Sequence, residues 1–136
     1  LMQGLGLLTK NKWFPLLFTS ITFGLMHIAN PEVGAFGFQM MIFYIGTGLF
    51  LGIITLMDDG LELALGFHAA NNLVAAILVT SNNSALQTNA IFEQVSTENS
   101  MTEIYIQVFV VFPILIFFFA KKYKWNDWKN KLTGKI

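Results

Sequence analysis

"AFGFQMMIFYIGTGLFLGIITL", residues 35–56, runs for 22 residues without one charged side chain. At 1.5 Å per residue a helix of that length reaches about 33 Å, enough to cross a hydrocarbon core of roughly 30 Å. The rest of the chain suits the same setting. Of 136 residues, 54% are hydrophobic and 12% charged, with a mean hydropathy of +0.59. A water-soluble domain of this size cannot hide so much apolar surface. The expected class is all-α, a polytopic membrane helix bundle with about four transmembrane helices.

Apolar runs on either side of residues 35–56 supply the other spans. One covers about Trp13 to Ala29 and ends against Asn30-Pro31, because proline disfavours a helical residue before it. After the "MDDG" turn, where Gly60 suits a left-handed position and Asp58 and Asp59 read as solvated, a third runs from Leu61 to about Val79. Glu62 stands near the start of that helix, where the helix dipole and solvent favour a carboxylate. "TSNNSALQTNAIFEQVSTENS", residues 80–100, reads as an extramembrane loop, and Glu93, Glu98 and Glu103 as solvated or interfacial charges. The fourth span, about Met101 to Ala120, carries Pro113, which membrane helices tolerate when neighbours satisfy the freed carbonyl.

Every cation is a lysine, and six of the eight (Lys121, Lys122, Lys124, Lys129, Lys131, Lys135) fall within residues 121–136. Lys10 and Lys12 complete the set, and an even number of spans puts both groups on one side of the membrane. By the positive-inside rule that side is cytoplasmic. Residues 121–136 are therefore expected to form a lysine-rich cytoplasmic tail, with Trp125 and Trp128 in the interfacial belt, on one membrane domain covering residues 1–136. The localisation this implies is the cell membrane, with the bilayer as a partner. Without a clustered basic face on a folded surface, nucleic acid is excluded as a partner. The chain has no cysteine, so a disulfide framework or thiolate metal site is excluded too. Gly48 and Gly52, and Gly66 and Ala70, are each four apart, a spacing that lets helix backbones approach closely or arises by chance.

Polar groups inside the spans carry the functional signal. "GFHAANNL", residues 66–73, sets His68 and Asn72 four apart, on one helix face, with Asn71 offset by three. On the first span Ser20, Phe23 and His27 are spaced by three and four. These two histidines are the whole supply, and ionisable groups at membrane depth face a bundle interior or a water-filled cavity. Imidazole can exchange a proton or bind a metal, and a carboxamide can donate to a developing oxyanion. A single histidine used as a neutral interhelical hydrogen-bond partner is the plainer alternative. Glu32 follows His27 by five residues and could reach a shared site, although spacing alone does not fix it there. With these helix limits His27 stands at the end of its span and His68 near the middle, an axial offset of roughly 10 Å that a shorter first helix would remove.

"FGLMH" (Phe23 to His27) resembles the FxxxH motif, and "HAANN" (His68 to Asn72) the HxxxN motif, of the CPBP family of CAAX prenyl proteases and bacteriocin-processing enzymes. The similarity extends over roughly residues 1 to 80. It implies an intramembrane endopeptidase acting on a prenylated or hydrophobic peptide, with His27, His68 and Asn72 in the catalytic site. His27 would orient the attacking water, and His68 with Asn72 would stabilise the tetrahedral oxygen. Two versions of the chemistry follow from the resemblance: one without a cofactor, and one in which His27 and His68 hold zinc. The family's Glu-Glu-x-x-x-Arg motif is absent, since the chain has no adjacent glutamates and no arginine. The resemblance places the catalytic glutamate before Leu1 and implies that the chain alone is inactive. Two other functions fit the sequence: a non-catalytic immunity or scaffold protein of the same fold, and a small transporter or channel subunit whose His and Asn line a polar pathway.

Overall fold

The computed structural model describes residues 1–93 and 100–135. Their order is α1 (Met2–Thr9), α2 (Trp13–Leu25), α3 (Pro31–Phe36), α4 (Met40–Met57), α5 (Glu62–Leu78), β1 (Val79–Thr80), β2 (Phe92–Glu93), α6 (Ser100–Ile106), a π-helical turn (Gln107–Val111), α7 (Phe112–Lys122) and α8 (Trp128–Thr133). The class is all-α, as expected, with a two-residue parallel pair joining Val79 to Phe92 and Thr80 to Glu93 inside the loop read as irregular. Glu98 of that loop lies outside the described residues.

Two helices are long and apolar enough to cross a membrane, α4 and the stretch Met101–Lys122. The other two expected spans are shorter apolar helices, α2 with 13 residues and α5 with 17. The first stops at Leu25, not Ala29, and His27 itself supplies the cause. In a continuing helix the His27 backbone N–H would donate to the Phe23 carbonyl. Here the His27 ring Nδ1 takes that carbonyl at 2.7 Å, and the backbone N–H turns to Gly24 O at 2.9 Å. Tight turns then lead to Asn30, which heads α3 in an extended conformation. The second span is divided as well: α3 ends at Gly37, whose φ of 84° a glycine adopts without strain, and α4 begins at Met40.

Helix α4 is the hub. Toward its start, Met40, Met41 and Tyr44 pack with Ile104 of α6, and Val33 and Phe36 of α3 close over them. Toward its end, Phe50 and Ile54 pack with Ala64 of α5 and Phe112 of α7, the Phe50 and Phe112 rings stacking at 4.7 Å. Its third side meets α2 with little between the backbones. A Cβ on Gly48 would stand 2.8 Å from Ser20 O, and one on Gly52 would stand 2.5 Å from Leu16 Cδ1. Ser20 is buried there and returns its hydroxyl to Leu16 O at 2.7 Å, so no polar atom is left unpaired at the seam. The Gly48/Gly52 pair is thus a packing motif, whereas Gly66 has nothing within 4 Å of where a Cβ would be.

Pro113 is absorbed by the π-helical turn before it: the Phe112 N–H reaches back five residues to Gln107 O, widening the helix where the proline ring would crowd a carbonyl. At the lysine-rich end the "MDDG" turn differs from expectation. Asp59, not Gly60, takes the left-handed conformation (φ 55°), and Asp59 is exposed as expected whereas Asp58 is half-buried. Asp58 Oδ1 accepts the Trp125 indole N–H at 3.2 Å, while Lys131 Nζ donates to Asp59 Oδ2 at 2.5 Å and to Met57 O at 2.8 Å. Lysine at a helix C-terminus satisfies a carbonyl that has no intrahelical partner. Within the segment expected as a tail, Lys121 and Lys122 close α7, Trp128–Thr133 form α8, and the Lys12 N–H donates to Gly134 O at 3.1 Å.

Gly48→Ala is expected to lower stability by about 1–3 kcal/mol, because the methyl meets backbone that cannot yield. Gly66→Ala should leave it unchanged or slightly higher. Thermal unfolding of the two variants in detergent checks the difference.

Candidate active site

Both histidines meet one aromatic side chain. Phe23, in the last turn of α2, stands with its ring 4.8 Å from that of His27 and 5.6 Å, edge-on, from that of His68 in α5. The early end of α2 removes the axial offset expected between the histidines, since His27 sits in a turn folded back on the helix. Tyr44 of α4 lies against His27, the rings nearly parallel (20°) at 4.5 Å. Asn30, at the head of α3, donates its Nδ2–H to the Tyr44 hydroxyl at 3.1 Å.

Ring nitrogens are assigned by their partners. His27 Nδ1 has a carbonyl before it, so it is the protonated nitrogen, and Nε2 keeps its lone pair for a ligand. On α5, Asn72 Nδ2 donates to His68 Nε2 at 3.3 Å, which puts the His68 proton on Nδ1. One carboxamide hydrogen of Asn72 stays uncommitted. Asn71 and Asn72 are exposed on the surface of this chain, and His68 is half-buried. Polar groups on a membrane helix cannot rest against lipid tails without large cost, so this face of α5 turns toward water or further protein.

Of the residues expected from sequence, the structure brings His27 and His68 onto the same phenylalanine and pairs Asn72 with His68. Glu62 is exposed in the first turn of α5, away from that face, as expected. No group of three His, Cys, Asp or Glu gathers among the described residues, and since catalytic zinc sites take three protein ligands, the zinc alternative would need a further ligand beside His27 and His68. Sequence analysis treated Phe23 only as a spacing mark and overlooked Tyr44 and Asn30. One signal for Tyr44 was present, as it is the only tyrosine within the uncharged run 35–56. Asn30 carried another, standing before Pro31 at a helix start.

A helical bundle with membrane-crossing segments and a histidine–asparagine constellation defines a polytopic membrane protein. This chain belongs to the Rce1-like family, type II CAAX prenyl endopeptidase Rce1-like, which matches residues 1–74. That family is membrane-embedded and is a protease family. The chain is also 33% identical over 126 residues to "Uncharacterized protein YyaK" of Bacillus subtilis (strain 168), a match covering 91% of this chain and 42% of the relative. No solved structure matches.

In protein labelled with 15N-histidine, His27 and His68 should both report protonation at Nδ1. Replacing Asn72 with Leu should move the His68 proton toward Nε2 and leave His27 unchanged; nitrogen shifts in NMR spectra read both outcomes.

Proposed function

We propose that the full-length protein is an intramembrane endopeptidase that hydrolyses a peptide bond in a prenylated or otherwise hydrophobic substrate. The observation that carries this is the meeting of His27 and His68 on Phe23, with Asn72 bound to the second histidine, in a chain of the Rce1-like family.

Hydrolysis of an amide needs a water held at the carbonyl carbon, a base for its proton, and donors for the oxygen that becomes an oxyanion. His27 presents Nε2 as an acceptor and so orients the water. A glutamate in the residues preceding Leu1, in the family's Glu-Glu-x-x-x-Arg motif, takes the proton. Asn72, held by His68, turns its second N–H to the tetrahedral oxygen, and the leaving amine then recovers a proton from the site. The chemistry is metal-free in this scheme.

Orientation in the membrane follows from the clasp at the lysine-rich end. The Lys12–Gly134 hydrogen bond brings Lys10 and Lys12 to the same end of the bundle as the C-terminal lysines. That end faces the cytoplasm by the positive-inside rule. The partners are then the bilayer and a hydrophobic peptide, with no nucleic acid.

In the full-length protein, His68→Ala should reduce cleavage of a prenylated peptide by about 10²–10⁴-fold, and Asn72→Ala by about 10²–10³-fold, with folding intact. Liquid chromatography of the cleaved peptide measures both. Unaltered turnover in folded His68→Ala would remove the proposed role of His68, whereas no cleavage by the folded wild-type protein would favour a non-catalytic protein of the same fold.

A further inference from the structure

We infer that Glu32, a residue outside both sequence motifs, is a positioning residue for the His27 imidazole and acts through Tyr44. This rests on His27 being the water-orienting group of the proposed site.

The His27 ring is held on two sides, by Phe23 at 4.8 Å and by Tyr44 at 4.5 Å. Tyr44 is itself buried, with 7% of its surface exposed, so its hydroxyl must find partners within the protein. The hydroxyl oxygen accepts a hydrogen from Asn30, which leaves its own proton to be placed. Beside it is the carboxylate of Glu32. One oxygen of that carboxylate, Oε1, accepts the Ala85 backbone N–H at 2.7 Å. The other, Oε2, is buried without a hydrogen-bond partner.

A carboxylate serving only the first turn of α3 would keep both oxygens in solvent. Burying one of them bare carries a desolvation cost, which is removed if the Tyr44 proton is directed to it. The hydroxyl then bridges Asn30 and Glu32, which fixes the ring on which His27 stacks. Ala85 extends the same connection to the loop after α5, so the Glu32 side chain joins that loop to the imidazole through two contacts.

The test uses the full-length protein in detergent, labelled in histidine, with the His27 signal identified by its loss in His27→Gln. The Tyr44 ring shifts the His27 ring protons upfield, and Tyr44→Leu defines the spectrum with that ring gone. Glu32→Ala should recover at least half of that displacement, with the His68 signal unmoved, and should lower kcat for the cleaved peptide about tenfold at unchanged KM. Glu32→Gln, which retains an acceptor for the Tyr44 proton, should restore most of both. Tyr44→Phe removes only the hydroxyl, keeps the packing, and should make a further Glu32→Ala change silent in the His27 signal. A folded Glu32→Ala protein with the wild-type His27 signal overturns the inference. So do additive effects of Tyr44→Phe and Glu32→Ala, and Glu32→Gln and Tyr44→Phe decide the matter if Glu32→Ala does not fold. Displacement of the His27 signal together with wild-type turnover in His27→Gln would instead overturn the hydrolytic role of His27 and leave the Glu32–Tyr44–His27 linkage standing.

Discussion

Backbone-to-backbone approach between α2 and α4 is the constraint from which the rest follows. Gly48 and Gly52 leave no side chain on the α4 side of the seam, and Ser20 and Leu16 occupy the space. Within a bilayer no hydrophobic effect drives helices together, so close van der Waals contact between small residues must serve in its place. The approach also sets the reach of α2. Phe23, one turn beyond Ser20, is carried over the first half of α4 and arrives between Tyr44's neighbour His27 and the flank of α5.

His27 acts in its surroundings twice over. By taking the Phe23 carbonyl with its ring it ends the helix, and by ending the helix it is placed beside α4 and not at the far rim of the bundle. Helix termination and site geometry are therefore one event, set by one hydrogen bond. A longer α2 would have used the same carbonyl for its backbone ladder and carried the imidazole out of register with His68. The broken backbone after Leu25 stays tolerable at this depth because its N–H groups find carbonyls in tight turns.

Much of this was legible in the residue order. Uncharged residues 35–56 announced a membrane helix, and the 68/72 spacing put a histidine and an asparagine on one face, where the structure joins them. Helix limits were less legible, because hydropathy continues through Met26–Ala29 and through Ala35–Phe38 while the backbone does not; a side-chain hydrogen bond and a glycine torsion, both local and invisible to an apolar average, decide those points. The contacts of Asp58 and Asp59 were missed for a different reason, although Asp59 is exposed as expected. Their partners, Trp125 and Lys131, lie far along the chain, and nothing local distinguishes a solvated turn aspartate from one awaiting a distant cation. Tyr44 and Asn30 belong to the same class, since their meeting depends on the packing of α3 over the start of α4.

Lys131 holding the last carbonyl of α4, and Gly134 accepting from Lys12, bear on the order in which the molecule is completed during synthesis. Both partners leave the ribosome long before the residues that secure them. Nascent α2 and α4 must accordingly remain paired on their glycine seam alone, and the ends that these contacts secure stay open until the closing segment emerges and locks them.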